Sequence, residues 1–222
     1  MLARVLEPEA MDLPQEARDY DAMDHREVNA RFVADFLDAN QGAAGGPILD
    51  VGTGTARIPI IFCEQDPSAR VVGIDVSEAM LALGRINVES AGLADRIRLE
   101  RHDARRIDAP DGAFAAVVSN TIIHHIPEPR AVLAEMIRLV GPGGRLFIRD
   151  LARPESREQL DHLVETHAGS ESAAARRLFA DSLHAALRLE EIRQLLHELA
   201  LAPEAAVLTS DRHWTVSWTR SC

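Results

Sequence analysis

Through the middle of the chain, short apolar runs alternate with longer stretches of helical character. The runs are Ile48–Val51, Val71–Ile74, Ile97–Leu99, Ala115–Val118 and Arg145–Ile148. Each is too short for a helix and is flanked by turn residues, which predicts strands buried on both faces. Strands separated mostly by helices imply a parallel sheet with right-handed crossovers. Ahead of this region, residues from about Pro14 to Ala39 read as helix, with Val28, Phe32, Phe36 and Leu37 as its apolar stripe. The run Gln41-Gly-Ala-Ala-Gly-Gly-Pro47 then breaks the chain.

After Asp150 the alternation stops. Residues 154–200 read as wholly helical, in two or three pieces broken near Ala168-Gly-Ser170 and Arg188. The last piece carries Ile192, Leu195, Leu196 and Leu199 on one face. Ala206–Thr209, a Ser-Asp-Arg turn and His213–Trp218 read as a terminal β-hairpin. Five parallel strands plus the hairpin predict a seven-stranded, mostly parallel sheet with one antiparallel strand. The expected organisation is a single domain over 1–222. Residues 1–44 would form an amino-terminal helical lid segment, 45–150 the core, 151–200 a helical cap and 201–222 the terminal hairpin.

Composition narrows the function. With 222 residues, 46% hydrophobic and 27% charged, the chain is an ordinary globular one. No run approaches the roughly 20 apolar residues that span a bilayer, so no membrane insertion is expected. The amino terminus carries acids and a proline where a signal peptide needs an apolar run, which places the expected location in the cytoplasm. A net charge of −11 argues against nucleic acid as partner, because binding phosphates requires neutralising them. All 24 basic residues are arginine. The absence of lysine excludes a P-loop lysine, a Schiff-base lysine and a Tyr-x-x-x-Lys dyad. Cys63 and Cys222 make no metal-binding spacing. Oligomeric state is left open by the sequence.

The strongest motif is Ile48-Leu-Asp50-Val-Gly52-Thr53-Gly54-Thr-Ala56. An apolar strand runs into two glycines and then a helix, so a ligand can approach the main chain closely. Asp75 closes the next strand about 20 residues on, where a carboxylate can accept both hydroxyls of a ribose. Together these imply an adenosine-type cofactor. A dinucleotide site would place a small third residue where Arg57 stands, and that side chain would have to occupy a crowded strand–helix contact. Asp50, just before the glycines, repels a pyrophosphate and suits a cationic amino-acid tail.

Asp50-x-Gly52-x-Gly54, Asp75, the acid of Arg101-His-Asp103-Ala104 and the run Val-Ser-Asn120-Thr-Ile-Ile-His-His-Ile-Pro127 resemble the class I S-adenosylmethionine-dependent methyltransferases. The likeness is strongest to the small-molecule branch that includes ubiquinone and menaquinone biosynthesis enzymes, and Leu139-Val-Gly-Pro-Gly-Gly144 resembles its turn into the fifth strand. It covers roughly residues 45–150. The resemblance implies a Rossmann-like three-layer α/β sandwich that takes S-adenosylmethionine and releases S-adenosylhomocysteine. It implies that the Gly52–Gly54 loop with Thr53 holds the methionine end, with Asp50 nearby and Asp75 on the ribose. Val76 and Met80 would flank the adenine, Asp103 and the Ala104 backbone would meet its edge, and Asn120 would sit near the transferable methyl. The plainer alternatives are a solvated loop acid for Asp103 and helix core for Met80.

His124 and His125 are the candidate catalytic pair. Neighbouring residues point in different directions, so they are not expected to share a metal, and no metal site is expected. One of them could take a proton from the nucleophile, with the other packing. Tyr20, the sole tyrosine, either folds over the cofactor or anchors the amino-terminal helix. Asp211-Arg-His213-Trp214 is either a second functional cluster or a turn over a buried tryptophan. The expected function is methyl transfer to a small-molecule substrate. The alternatives are an NAD-dependent oxidoreductase and a non-catalytic S-adenosylmethionine-binding protein.

Overall fold

A computed structural model describes residues 1–7, 13–23, 25–40 and 45–222. Seven strands form one sheet: β1 (Ile48–Val51), β2 (Val71–Asp75), β3 (Ile97–Arg101), β4 (Phe114–Asn120), β5 (Val140–Leu151), β6 (Ala206–Leu208) and β7 (His213–Thr219). Their order is β3-β2-β1-β4-β5-β7-β6. β1 pairs in parallel with β2 and β4, β2 in parallel with β3, and β6 antiparallel with β7. The order reverses at β1, so the connections that follow β1 and β4 run to opposite sides, and ligands of such sheets sit at the strands' carboxyl ends there. Eight helices accompany the strands among the described residues: α1 (Pro14–Asp21), α2 (Arg26–Ala39), α3 (Arg57–Gln65), α4 (Glu78–Ser90), α5 (Pro129–Leu139), α6 (Arg157–Ala168), α7 (Ala173–Ala185) and α8 (Leu189–Glu198).

Contacts divide the chain into two compact units. The larger comprises Ala10–Asn120, Arg130–Ile148 and Ser217–Cys222. All four residues of β1 are buried, as a strand flanked on both edges and covered on both faces requires. Phe32 and Phe36 of α2 pack on Phe147, and Phe36 also meets Phe62 of α3 edge-on, with centroids 5.2–5.8 Å apart. Each fully buried ring contributes about 1.5–3 kcal/mol. Gly73 in β2 has no room for a side chain, since a Cβ there would lie 2.6 Å from the Thr53 hydroxyl and 2.8 Å from Leu99.

The smaller unit comprises Met1–Glu9, Thr121–Pro129 and Arg149–Val216. Its core gathers Leu151, Leu160, Leu163, Val164, Leu183 and Ala186, with Leu2 and Phe179 against them. Serine hydroxyls cap both of its first helices: Ser156 accepts the Gln159 N–H, and Ser172 the Ala175 N–H. The buried Arg153 donates to the Ala186 carbonyl at 2.8 Å and to Glu191 at 2.6 Å.

Three expectations need correction. The single helix over Pro14–Ala39 is two, α1 and α2, and Asp21 at the end of α1 is bonded to Arg57 and Asn87 far along the chain. Val28, expected in the apolar stripe, is 45% exposed, and the buried face of α2 is Phe32, Val33 and Phe36. β5 is much longer than Arg145–Ile148, since its glycines let the strand begin at Val140, with the place of a Gly144 Cβ lying 2.7 Å from the Ala115 carbonyl. Gln41–Ala44 of the expected glycine-rich break lie outside the described residues.

Candidate functional site

β1 ends at Val51, and the chain turns through Gly52 (φ 76°) and Gly54 (φ 54°) into α3. Both glycines lie in the left-handed region that a side chain disfavours. The loop is pinned to β2 by its own amides. Gly52 and Thr53 donate to the Ile74 carbonyl at 2.9 Å each, and Gly54 donates to Asp75 Oδ2 at 2.9 Å. Asp75 Oδ1 accepts the Ser77 N–H, also at 2.9 Å. Asp75 thus holds the glycine loop with one oxygen and the start of α4 with the other. A Cβ at Gly54 would lie 3.9 Å from Tyr20 Cε1, so the tyrosine ring covers the loop.

Asp50 is 1% exposed at the end of β1. Its Oδ2 and the hydroxyl of Thr53 are buried without a hydrogen-bond partner. Burial, reinforced by the Asp75 carboxylate, pushes the Asp50 carboxyl up to about 7. Burial, Asp75 and Asp50 likewise raise the Tyr20 phenol above its ordinary value. A buried carboxylate with an unused oxygen, in a negative surround, is suited to a cationic N–H donor. The cradle therefore fits an ammonium group.

The other expected cofactor residues lie as follows. Val76, just past β2, is 40% exposed, an apolar side chain open at the strand end. Met80 is buried in the first turn of α4. Asp103 is exposed, and its carboxylate takes the Arg105 N–H and guanidinium at 2.9 Å each. Ala104 beside it is half-buried, as is Asn120 at the end of β4. The geometry brings together Asp50, Thr53, Gly54, Asp75 and Tyr20.

Residues 48–144, which hold the glycine loop, both aspartates and four of the parallel strands, match the methyltransferase domain family. Over that segment the chain is similar to methyltransferase domains. It is 35% identical over 131 residues to the ubiquinone/menaquinone biosynthesis C-methyltransferase of Geobacter sulfurreducens, covering 59% of this chain and 51% of that one. It is 31% identical over 179 residues to the 27-O-demethylrifamycin SV methyltransferase of Amycolatopsis mediterranei, covering 80% of this chain and 61% of that one. The chain thus spans between half and about three-fifths of these relatives' length. A S-adenosylmethionine-dependent methyltransferase from Aquifex aeolicus shares the fold, with a TM-score of 0.65, 18% identity and coverage of 93% and 98% of the two chains.

Within the matched segment, Arg57 is not where the fingerprint argument put it. Its guanidinium leaves the strand–helix contact and makes two bonds to Asp21 of α1, at 2.8 and 2.9 Å. Asn87 of α4 donates to the same carboxylate at 3.1 Å and to the Thr55 carbonyl at 3.0 Å. Despite some burial, these donors hold Asp21 below the ordinary carboxylate range. Sequence reasoning missed Asp21 and Asn87. Their signal is a contact between α1, α3 and α4, which no local pattern carries.

The smaller unit holds the two histidines. Ile123–His125 form a 3-10 turn, and the imidazoles lie side by side with centroids 4.1 Å apart, contrary to the expected divergence. His124 is 3% exposed. Its Nδ1 is 2.6 Å from Asp150 Oδ1 and its Nε2 is 3.3 Å from Glu7 Oε1. His125 Nδ1 is also 3.3 Å from Glu7 Oε1. Against the penalty of burial, the charges and bonds of Asp150 and then Glu7 raise His124 to about 9. Asp150 accepts further N–H bonds from Ile123, His124 and Leu151. Glu7 and Asp150 were not singled out with the histidines, for they come from segments more than a hundred residues apart. The Asp211–Trp214 cluster is a fastened turn, with Asp211 bound to His167 at 2.6 Å, Ser210 to His213 at 2.8 Å and Trp214 wholly buried.

Among the described residues, no helix is long and apolar enough to cross a membrane.

Proposed function

We propose that this protein transfers the methyl group of S-adenosylmethionine to a small-molecule acceptor and releases S-adenosylhomocysteine. The observation that carries this reading is the unpartnered oxygen of buried Asp50 at a glycine loop inside the segment similar to methyltransferase domains. Asp50 and Thr53 would hold the ammonium of the methionine end, and Asp75 the ribose. Val76 and Met80 would flank the adenine, Asp103 and the Ala104 backbone would meet its edge, and Asn120 would face the methionine end. Tyr20 would close over the loop it already covers.

When bound, the cofactor supplies an electrophilic methyl on a sulfonium. The chain's own residues then have chiefly to align the acceptor, and alignment alone supplies up to about 7–11 kcal/mol. A base is needed only where the acceptor's nucleophile carries its proton. His124 has both ring nitrogens turned to carboxylates, so in this reading the proton goes to His125, whose side chain is 22% exposed. The −11 charge favours a small molecule over nucleic acid as acceptor. The names of the two relatives point the same way, toward small-molecule rather than macromolecular acceptors.

Calorimetric titration with S-adenosylmethionine, S-adenosylhomocysteine and NAD(H) tests the reading. Micromolar one-to-one binding of the first two, weakened about 10–100-fold in Asp75→Ala, is the expected outcome. Binding of NAD(H) with no response to the sulfonium would move the function to redox chemistry. Sulfonium binding without methyl transfer to any small-molecule extract would leave a binding protein.

A further inference from the structure

Among the described residues, Glu7, His124 and His125 are a grouping whose ligand atoms all lie within 4.8 Å of one another. The amino-terminal strap builds it. Leu2 N–H donates to the Glu155 carbonyl at 2.8 Å and Val5 N–H to that of His184 at 3.2 Å. Between them the Arg4 guanidinium binds the carbonyls of Ala185, His124, Ile126 and Pro127, at 2.6 to 3.3 Å. The strap is thereby fixed to the turn that carries both histidines, and Glu7 follows directly. The Ser182 hydroxyl reaches Glu7 Oε2 at 3.4 Å, which turns Oε1 toward the imidazoles.

Oε1 is the atom that asks for a ligand. The Glu7 side chain is 8% exposed, and Oε1 lies 3.3 Å from a nitrogen of each histidine, yet it is buried without a satisfactory hydrogen bond. Two ligands of a tetrahedral zinc site, each about 2.0–2.1 Å from the ion, lie about 3.3 Å apart. The spacing that is poor for hydrogen bonds is right for shared coordination. His124 reaches inward with its far nitrogen and His125 with its near one, which is how adjacent residues converge despite different Cβ directions. Asp150 accepts from His124 Nδ1 at 2.6 Å and so orients the ring from behind, the carboxylate–histidine arrangement that supports metal ligands.

We propose that Glu7 Oε1, His124 Nε2 and His125 Nδ1 form a three-ligand site for a divalent cation of the zinc class. Two imidazoles and one carboxylate suit zinc, cobalt and related ions rather than calcium or magnesium. Three protein ligands leave a position open to water or to an oxygen or nitrogen of an added molecule. The site does not depend on the methyltransferase reading, and with an ion in place His125 Nδ1 is a ligand and no longer a proton acceptor.

Chelator-stripped full-length protein would be titrated with Co²⁺, followed by visible d–d absorption, and with Zn²⁺ by calorimetry. One equivalent per chain at micromolar affinity or tighter is expected. Glu7→Gln and His125→Ala should each weaken uptake at least about 10-fold, and Asp150→Asn about 10–100-fold. Circular dichroism of each variant separates lost ligation from lost fold, and the two milder variants decide if Asp150→Asn unfolds. No saturable uptake by the native protein, or uptake unchanged in either Glu7→Gln or His125→Ala, would overturn the three-ligand site. S-adenosylmethionine binding, measured in parallel, distinguishes failure here from failure of the proposed function.

Discussion

Asp50 and Asp150 are both buried at carboxyl ends of strands, one in each compact unit, and their carboxyl groups are pushed in opposite directions. Burial drives Asp50 up to about 7, because Oδ2 has no partner and Asp75 adds a like charge. Burial also acts on Asp150, but the His124 imidazole and the Leu151 N–H outweigh it, and Asp150 stays below the ordinary carboxylate range. Desolvation alone therefore decides little; the donors that the fold supplies decide the sign. The completed carboxylate is structural, holding a turn and an imidazole. The incomplete one is the group to which the proposed function assigns the cofactor's ammonium.

Removing the donor's partner on the completed side should have the largest effect. Asp150→Asn leaves the His124 imidazole buried beside a neutral amide, and breaking a buried pair in this way costs about 3–5 kcal/mol. Chemical denaturation should show that loss. A cost under about 1 kcal/mol would mean that Glu7 alone satisfies His124.

On the incomplete side the cost should fall on binding. Asp75→Ala removes the acceptor of the Gly54 and Ser77 amides and of the proposed ribose contact. Hydrogen bonds to a charged group are worth about 1.5–3 kcal/mol, so S-adenosylmethionine affinity should fall about 10–100-fold in calorimetry. Unchanged affinity would remove Asp75 from the site.

The two regions also differ in how far the sequence discloses them. The cradle is written in one strand–loop–helix run and the end of the next strand, so Asp50, Gly52, Gly54 and Asp75 are legible from spacing alone. The boundaries of β1 and of the helices after Asp150 are legible for a similar reason, since periodicity and caps are local signals. The histidine cluster is assembled from residues 7, 124, 125 and 150, and only its adjacent pair stands out in the sequence. Long-range partners leave no period. The same holds for Asp21 at the end of α1, whose bonds to Arg57 and Asn87 tie it to residues far along the chain.

A third test turns on pH. Asp50 keeps its proton to about 7 in the folded chain and loses it near 3.8 when unfolded. The native state then binds more protons between those values, so stability falls as pH rises through that window. Asp50→Asn should therefore stabilise the cofactor-free protein by up to roughly 4 kcal/mol above pH 7, with no gain near pH 4. The same variant should bind S-adenosylmethionine more weakly, because the amide cannot pair with an ammonium. Thermal melts across pH 4–8 would reveal the window. A gain independent of pH would mean that Asp50 is ionised throughout.

The smallest effect belongs to Arg57, and it bears on which cofactor the loop accepts. Its pair with Asp21 is bidentate, but the guanidinium side is 48% exposed, so Arg57→Ala should cost about 0.2–1 kcal/mol at most. The side chain already lies outside the strand–helix contact, so crowding by Arg57 does not keep a dinucleotide out. What disfavours a pyrophosphate is the Asp50 carboxyl, with its buried oxygen beside the loop. Arg57→Ala should therefore gain no NAD(H) affinity in calorimetry. NAD(H) affinity gained on that substitution alone would restore the steric argument and leave Asp50 without its discriminating role.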